Sequence, residues 1–517
     1  MRGNALQYIS HNPLLTELTG RKEGGVRDET ASCSPRTVGM ARRTRWPLWA
    51  ALGVAAATAA FAQGIPARDA IPLWLGLVAA SAVALFLLGR RWLRGRPSPR
   101  ALTLGTLGVA ALLRLAALAA PPSLSDDVHR YVWDGALVAQ GVDPYAHRPS
   151  EVATWSEPPV DPASLSELNS PDYYSVYPPL AQLTFGAAWT LGDALHVPAE
   201  RLLRGLFSLA DLLAIWALMG LLGQLGRPRG WALLYAWNPL VYWEVAAGGH
   251  TEALMVPLLL LAVGEALKER PARAGAYLGL AASAKLTALI LGPVFLVHLA
   301  RRLDAKRAAP FALASFGVVA AAFVPFASES LWPHLRESLS LYAERFSFNA
   351  PVYYAARDLM GYVEGVTPPV DAALMPWLSA ATIGWLLVVA LGQDDGQRRF
   401  VGSLAAAFVG YLLLSRVIHP WYVLPVLALG VLAGSRGILA LSLLLPLSYL
   451  RYGPGGSESA DVIAAQFVPF VALILADAIR AWLAETKRTP RVAPSAEPAP
   501  APPHVTPARP VGYDGDL

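Results

Sequence analysis

Long apolar runs separated by short polar loops dominate the chain from about residue 46 to residue 484. They fall near 46–63, 71–89, 101–120, 201–224, 231–246, 251–267, 273–284, 287–299, 308–326, 372–391, 400–415, 421–434, 437–450 and 462–484. About 20 apolar residues carry a helix across a bilayer, so the pattern predicts an all-α, polytopic transmembrane helical bundle of roughly 12–14 spans. Several runs are shorter than that. Tilted or broken helices, covered by other protein, are expected there. Two stretches are too polar and too long for span connections, 121–200 and 327–371, and both are expected to carry juxtamembrane helices.

The charges orient this array. Basic clusters occur at Arg42, Arg43 and Arg45; at Arg90, Arg91, Arg94, Arg96 and Arg100; and at Arg227 and Arg229. Others follow at Lys268, Arg270 and Arg273; at Arg301, Arg302, Lys306 and Arg307; at Arg398 and Arg399; and at Lys487 and Arg488. With alternate crossing every cluster falls on one side, and the positive-inside rule makes that side the cytoplasm. Both termini are then cytoplasmic in an inner (plasma) membrane, and 121–200 and 327–371 are extracytoplasmic. Pro179–Leu195 is apolar enough to be taken for a span. Counting it would move Arg227 and Arg229 outside, so it reads as a helix lying on the membrane surface. The same parity places Lys285 at the outer tip of the hairpin 273–299, and Arg416, His419 and Pro420 at the tip of 400–434.

Composition agrees: 55% of residues are hydrophobic and 15% charged, which excludes an ordinary soluble protein. The net charge of +5 lies in the loops and does not imply nucleic acid. Cys33 is the only cysteine, which excludes a disulfide within the chain. Residues 1–45 read as a disordered cytoplasmic lead without the apolar core of a signal peptide, and 485–517 as a disordered Pro/Ala-rich tail around a transmembrane domain at 46–484. There is no Walker loop, no dinucleotide glycine motif and no HExxH, and no cofactor or metal is expected.

The chemistry-bearing stretch is Ser125-Asp126-Asp127-Val128-His129-Arg130-Tyr131-Val132-Trp133-Asp134-Gly135, directly after an apolar run. On a helix, Asp127, Arg130, Tyr131 and Asp134 share one face at spacings of three and four, presenting a charged row to water. Ser125 suits an N-cap, and the acid pair then has a plain alternative role as a helix start. Carboxylates at a membrane boundary equally suit a general base meeting a hydroxyl. Tyr145, Tyr173, Tyr174 and Tyr177 follow in Pro-rich loops; they suit sugar stacking or an interfacial belt. Lys285, Arg416, His419, Arg345, Arg357 and Arg451 all map to the outer side, where cations bind phosphate or snorkel to headgroups. His250 and Glu252, in Gly248-Gly249-His250-Thr251-Glu252, suit an acceptor hydroxyl or a helix cap.

The acidic motif, with Gly141-Val142-Asp143-Pro144-Tyr145, Tyr177-Pro178-Pro179-Leu180, the Lys285 hairpin and Arg345-Phe346-Ser347-Phe348-Asn349, resembles the GT-C superfamily of integral-membrane glycosyltransferases. It is most similar to the bacterial polyprenol-phosphate-mannose-dependent mannosyltransferases (glycosyltransferase family 87 and its α-1,6-mannosyltransferase relatives). The resemblance covers about 101–484, leaving the first two spans (46–100) as an addition. It implies a GT-C-type bundle and a polyprenyl-phosphate-linked sugar as donor. It further implies a metal-independent inverting transfer to an extracytoplasmic glycan or glycolipid acceptor. Asp127 is then the expected base, with Asp126 as neighbour or substitute. Lys285, Arg416, His419, Arg345 and Arg451 are expected at the donor phosphate. Arg130, Tyr131, Asp134, Tyr177, His250 and Glu252 are expected at sugar or acceptor. His129 stands where relatives often carry Tyr. A transporter or flippase of a lipid-linked sugar is the alternative; it accounts for the spans and the outer cations, but less readily for the acid-bearing helix.

Overall fold

Helix-start chemistry recurs where several of the apolar runs begin. Pro occupies the first turn at Pro99, Pro179, Pro271 and Pro351, where its missing N–H is not needed. Ser98 caps one such start, its Oγ accepting the Ala101 amide at 3.2 Å, and Asp304 caps another through the Arg307 amide at 2.8 Å. The computed structural model describes residues 52–60, 67–344, 346–361, 371–453, 456 and 458–486. The leading segment 1–45 and most of the tail lie outside these.

The main helices are α1 (Ile71–Arg94), α2 (Pro99–Leu118), α3 (Asp127–Ala139), α4 (Pro179–Leu195), α5 (Ala199–Gln224), α6 (Glu252–Leu267), α7 (Pro271–Ala284) and α8 (Gly292–Arg302). They continue with α9 (Ala305–Phe323), α10 (Leu331–Glu344), α11 (Pro351–Leu359), α12 (Asp371–Gly392), α13 (Gln397–Leu414), α14 (Val423–Ala433), α15 (Arg436–Leu444) and α16 (Ala460–Thr486). Among the described residues there is no strand, only a parallel bridge between Phe348 and Val417. The chain divides after Ile474 into a large unit, which holds the acid pair and the residues around it, and a small one whose described part is the end of α16.

Among the described residues, six helical stretches are long and apolar enough to cross a membrane: Ala67–Arg94, Pro99–Leu118, Ala199–Gln224, Ala305–Phe326, Ala373–Gly392 and Ala460–Arg480. Among the described residues the other apolar runs form shorter or broken helices rather than long continuous ones, as expected for runs below about 20 residues. The run 231–246 is the clearest departure. It breaks into a 3-10 turn at Arg229–Ala232, short helices at Leu233–Ala236 and Pro239–Tyr242, and a π-helical turn at Trp243–Gly248. Asn238 caps the piece that Pro239 opens, its side chain accepting the Leu240 amide at 3.0 Å. The whole stretch from Tyr235 to Thr251 is buried, so neighbouring helices rather than lipid surround it.

The basic loops gather at one end. Arg398 donates to the carbonyl of Leu225 at 3.1 Å, Arg301 to that of Leu391 at 2.7 Å, and Arg302 pairs with Glu269. At the other end lie the start of α3, the starts of α5 and α6, the end of α7 and the tip between α13 and α14. Inside the bundle Arg114 pairs with Asp211, and both are fully buried; Tyr235 donates to the same carboxylate at 2.6 Å, satisfying a charge pair that apolar surroundings would otherwise penalise.

Candidate active site

The acid pair sits where α2 gives way to α3. Ser125 Oγ accepts the Asp127 amide at 3.3 Å. Asp126 is itself the N-cap residue, yet its side chain makes no capping hydrogen bond. It pairs with Arg68 at 3.3 Å, from the turn just ahead of α1. The Arg68 guanidinium also lies 5.5 Å from the ring centre of Tyr452. Helix capping therefore does not account for Asp126.

Asp127 Oδ1 accepts a hydrogen bond from Asn169 Nδ2 at 3.1 Å, and Oδ2 lies 4.0 Å from His250 Nδ1. Its side chain keeps 22% of its surface exposed. Burial pushes its carboxyl above the ordinary aspartate range; Asn169 and Lys285 act against that rise and Asp126 adds to it. A carboxylate in that condition is a stronger base than a solvated one and remains open to a hydroxyl.

Lys285, where α7 ends, forms a close ion pair with Glu252 at the start of α6, and its ammonium sits 4.4 Å above the Tyr422 ring. Aromatic groups continue around the site. His250 stacks on Trp421 at 3.8 Å, Trp421 on His419 at 4.2 Å, His419 on Phe348 at 4.8 Å and Phe348 on Tyr452 at 5.7 Å. Tyr452 leads back to Arg68 and Asp126. The contacts thus close a ring from one aspartate to the other. Burial and the nearby Lys285 hold His419 neutral, its pKa lowered to about 3.

The family described as alpha-(1->6)-mannopyranosyltransferase, N-terminal domain, matches residues 38–301, half of the chain. The chain belongs to this family. It is also 24% identical over 445 residues to a protein of Corynebacterium glutamicum named alpha-(1->6)-mannopyranosyltransferase A, covering 77% of this chain and 84% of the relative. Together with its apolar helices this makes the chain a membrane mannosyltransferase. The family match begins ahead of the first two spans and contains them along with the acidic motif, Glu252 and Lys285.

In this mannosyltransferase the expected row of Arg130, Tyr131 and Asp134 does not face water. Arg130 is 3% exposed and Asp134 0%. Arg130 pairs with Asp134 at 2.8 Å and donates to the Ser170 carbonyl at 3.0 Å; Asp134 also accepts from Ser175 and Gln182. Tyr131 stacks on Phe185 at 4.6 Å and meets Tyr177 edge-on at 4.7 Å. The reason is that α4 and the loop before it fold over this face of α3. Arg130, by holding Ser170, fixes the neighbouring Asn169 that contacts Asp127.

The other expected residues divide by place. His250 and Glu252 are buried, at 0% and 1% exposure, so neither presents the surface expected of a sugar contact. Lys285 and His419 join Asp127 and His250 in one cluster. Arg416 donates to Tyr353 Oη at 3.2 Å, and its carbonyl accepts the Phe348 amide, tying the second polar segment to the hairpin tip. Arg451 pairs with Glu458 at 2.8 Å, beside the Tyr354 hydroxyl. Arg345 lies outside the described residues. Sequence reasoning passed over Arg68, Asn169, Glu244, Trp421 and Tyr449. Glu244 carried a usable signal, an acid inside an apolar run.

Proposed function

We propose that this mannosyltransferase takes mannose from a polyprenyl-phosphate donor in the outer leaflet and passes it, with inversion and without a metal, to a hydroxyl of an extracytoplasmic glycan or glycolipid. The observation that carries the reading is the juxtaposition of a half-buried, destabilised carboxylate, Asp127, with an ammonium, Lys285, whose charge acts on it. The acceptor hydroxyl gives its proton to Asp127 while its oxygen attacks the anomeric carbon. The bond from that carbon to the phosphate oxygen breaks, and the electron pair leaves with the phosphate toward Lys285, with Arg416 as a second cation on the adjoining tip. A phosphate leaving group needs no general acid; base, placement and cationic stabilisation suffice. One base on one face implies inversion, giving an α-linkage from a β-linked donor. The name of the Corynebacterium relative supports a 1,6-linkage.

Purified protein incubated with polyprenyl-phosphate-mannose and a panel of oligomannoside acceptors tests this. Asp127→Asn is expected to lower turnover by about 10²–10⁴-fold with donor affinity retained, and Lys285→Ala to weaken donor binding and turnover together. Substantial turnover in Asp127→Asn, with Asp126 intact or replaced by Asn, would refute the assignment.

A further inference from the structure

Beneath Asp127 lies a second acid that the transfer scheme does not use. Glu244, 2% exposed, stands on the π-helical turn Trp243–Gly248. Its Oε2 is 3.2 Å from His250 Nε2, while the Tyr449 hydroxyl donates to Oε1 at 2.9 Å. His250 is fully buried, clamped flat on Trp421, and neither ring nitrogen makes a hydrogen bond of good geometry, although a carboxylate oxygen lies within 4.0 Å of each. The backbone is shaped for this approach. A Cβ on Gly248 would lie 2.8 Å from His250 Nε2, and Gly249 turns the chain at φ +73°, so that His250 points back over Glu244. π-turns of this kind concentrate at functional sites.

We propose that His250 is a positioning residue for the Asp127 base, with its tautomer set by a protonated Glu244. This inference rests on the reading of Asp127 as the base. Glu244, through Oε2–H, donates to Nε2; Nδ1 then carries the proton and donates to Asp127 Oδ2 as substrate closes the remaining gap. The other Asp127 oxygen, Oδ1, accepts from Asn169 through one lone pair and takes the acceptor's proton on the other, and that proton afterwards leaves through the exposed side of the carboxylate. His250 gains and loses no proton in the cycle. The groups facing its ring are Asp127 from α3, Glu244 from the π-turn, Lys285 (paired with Glu252) from the end of α7, and His419 from the tip ahead of α14. Burial first, then Lys285 and His419, press His250 well below its usual pKa, which keeps the ring neutral as the scheme requires.

The test is the pH dependence of mannosyl transfer by the full-length enzyme, assayed with polyprenyl-phosphate-mannose. His250→Ala is expected to lower kcat about 10–100-fold with little change in donor KM, and to move the acid limb to higher pH, because Asp127 loses a donor to its ionised form. Glu244→Leu should do the same. Glu244→Gln, whose amide N–H donates to Nε2 as the protonated acid does, should restore activity and the original limb relative to Glu244→Leu. An unmoved limb in His250→Ala, or equal damage in the Gln and Leu variants, overturns the proposal. If His250→Ala does not fold, the Gln-against-Leu comparison decides alone. Asp127→Asn is assayed alongside: an active Asp127→Asn defeats the base reading itself, whereas an inactive one beside an unmoved His250→Ala limb defeats this inference only.

Discussion

At the scale of single residues the site depends on how one carboxylate is held. Asp127 is raised by burial and by Asp126 and is lowered by Asn169 and Lys285. Only the ionised form accepts a proton, so transfer falls as pH drops through a value above the ordinary aspartate value of about 3.9. Removing Lys285 removes a lowering influence. The residual activity of Lys285→Met should therefore show its acid limb at higher pH than the parent enzyme, and Asp126→Asn should show it at lower pH. Limbs that move the other way would contradict the charge arrangement. The acid motif was legible in the sequence because charges at a membrane boundary have few structural uses. Arg130 and Asp134 were misjudged because helical spacing says which residues share a face, not what covers that face. The cover, Ser170, Ser175 and Gln182, comes from a loop without periodicity.

At the scale of elements, α3 and α4 cross at glycine. A Cβ on Gly135 would lie 2.5 Å from the Phe185 carbonyl oxygen, and one on Gly186 would lie 2.8 Å from Val138. Gly135→Ala must push apart two backbones that hold the Tyr131, Tyr177 and Phe185 rings together. It is expected to cost about 1–3 kcal/mol and to lower the thermal unfolding midpoint in detergent. Gly108→Ala on α2 meets nothing within 4 Å and serves as the control. Equal midpoints for the two variants would mean that the crossing is loose. Most helices were legible from apolar runs: 201–224 appears as Ala199–Gln224 and 273–284 as Pro271–Ala284. The run 231–246 was not, because a hydropathy window averages over Asn238-Pro239 and over the π-turn that brings Glu244 under His250.

At the scale of the whole molecule, the gathering of the basic loops at the end away from Asp127 carries the proposed orientation, with the cytoplasm at that end. Cys33 is the only native thiol, so the orientation can be read by labelling. In a Cys33→Ser background, a cysteine at the exposed Ser156 should react with a membrane-impermeant maleimide on intact cells. One at the exposed Ala305 should react only after lysis. The reverse pattern would place the acid pair inside the cell and remove access to an external acceptor. Charge parity proposes this orientation, since a miscounted crossing would split the basic clusters between the two sides. It was silent on how the outer loops and hairpin tips converge, which depends on contacts between residues hundreds of positions apart.

The pairing of Arg68 with Asp126, 58 residues apart, also bears on biosynthesis. Both partners leave the ribosome early, flanking the first helices of the described bundle, and the charge on Asp126 has its counter-ion before Lys285 or His419 has been translated. One of the two acids is thus compensated from the first hairpin onward, and Asp127 alone waits for the cation that the later helices bring.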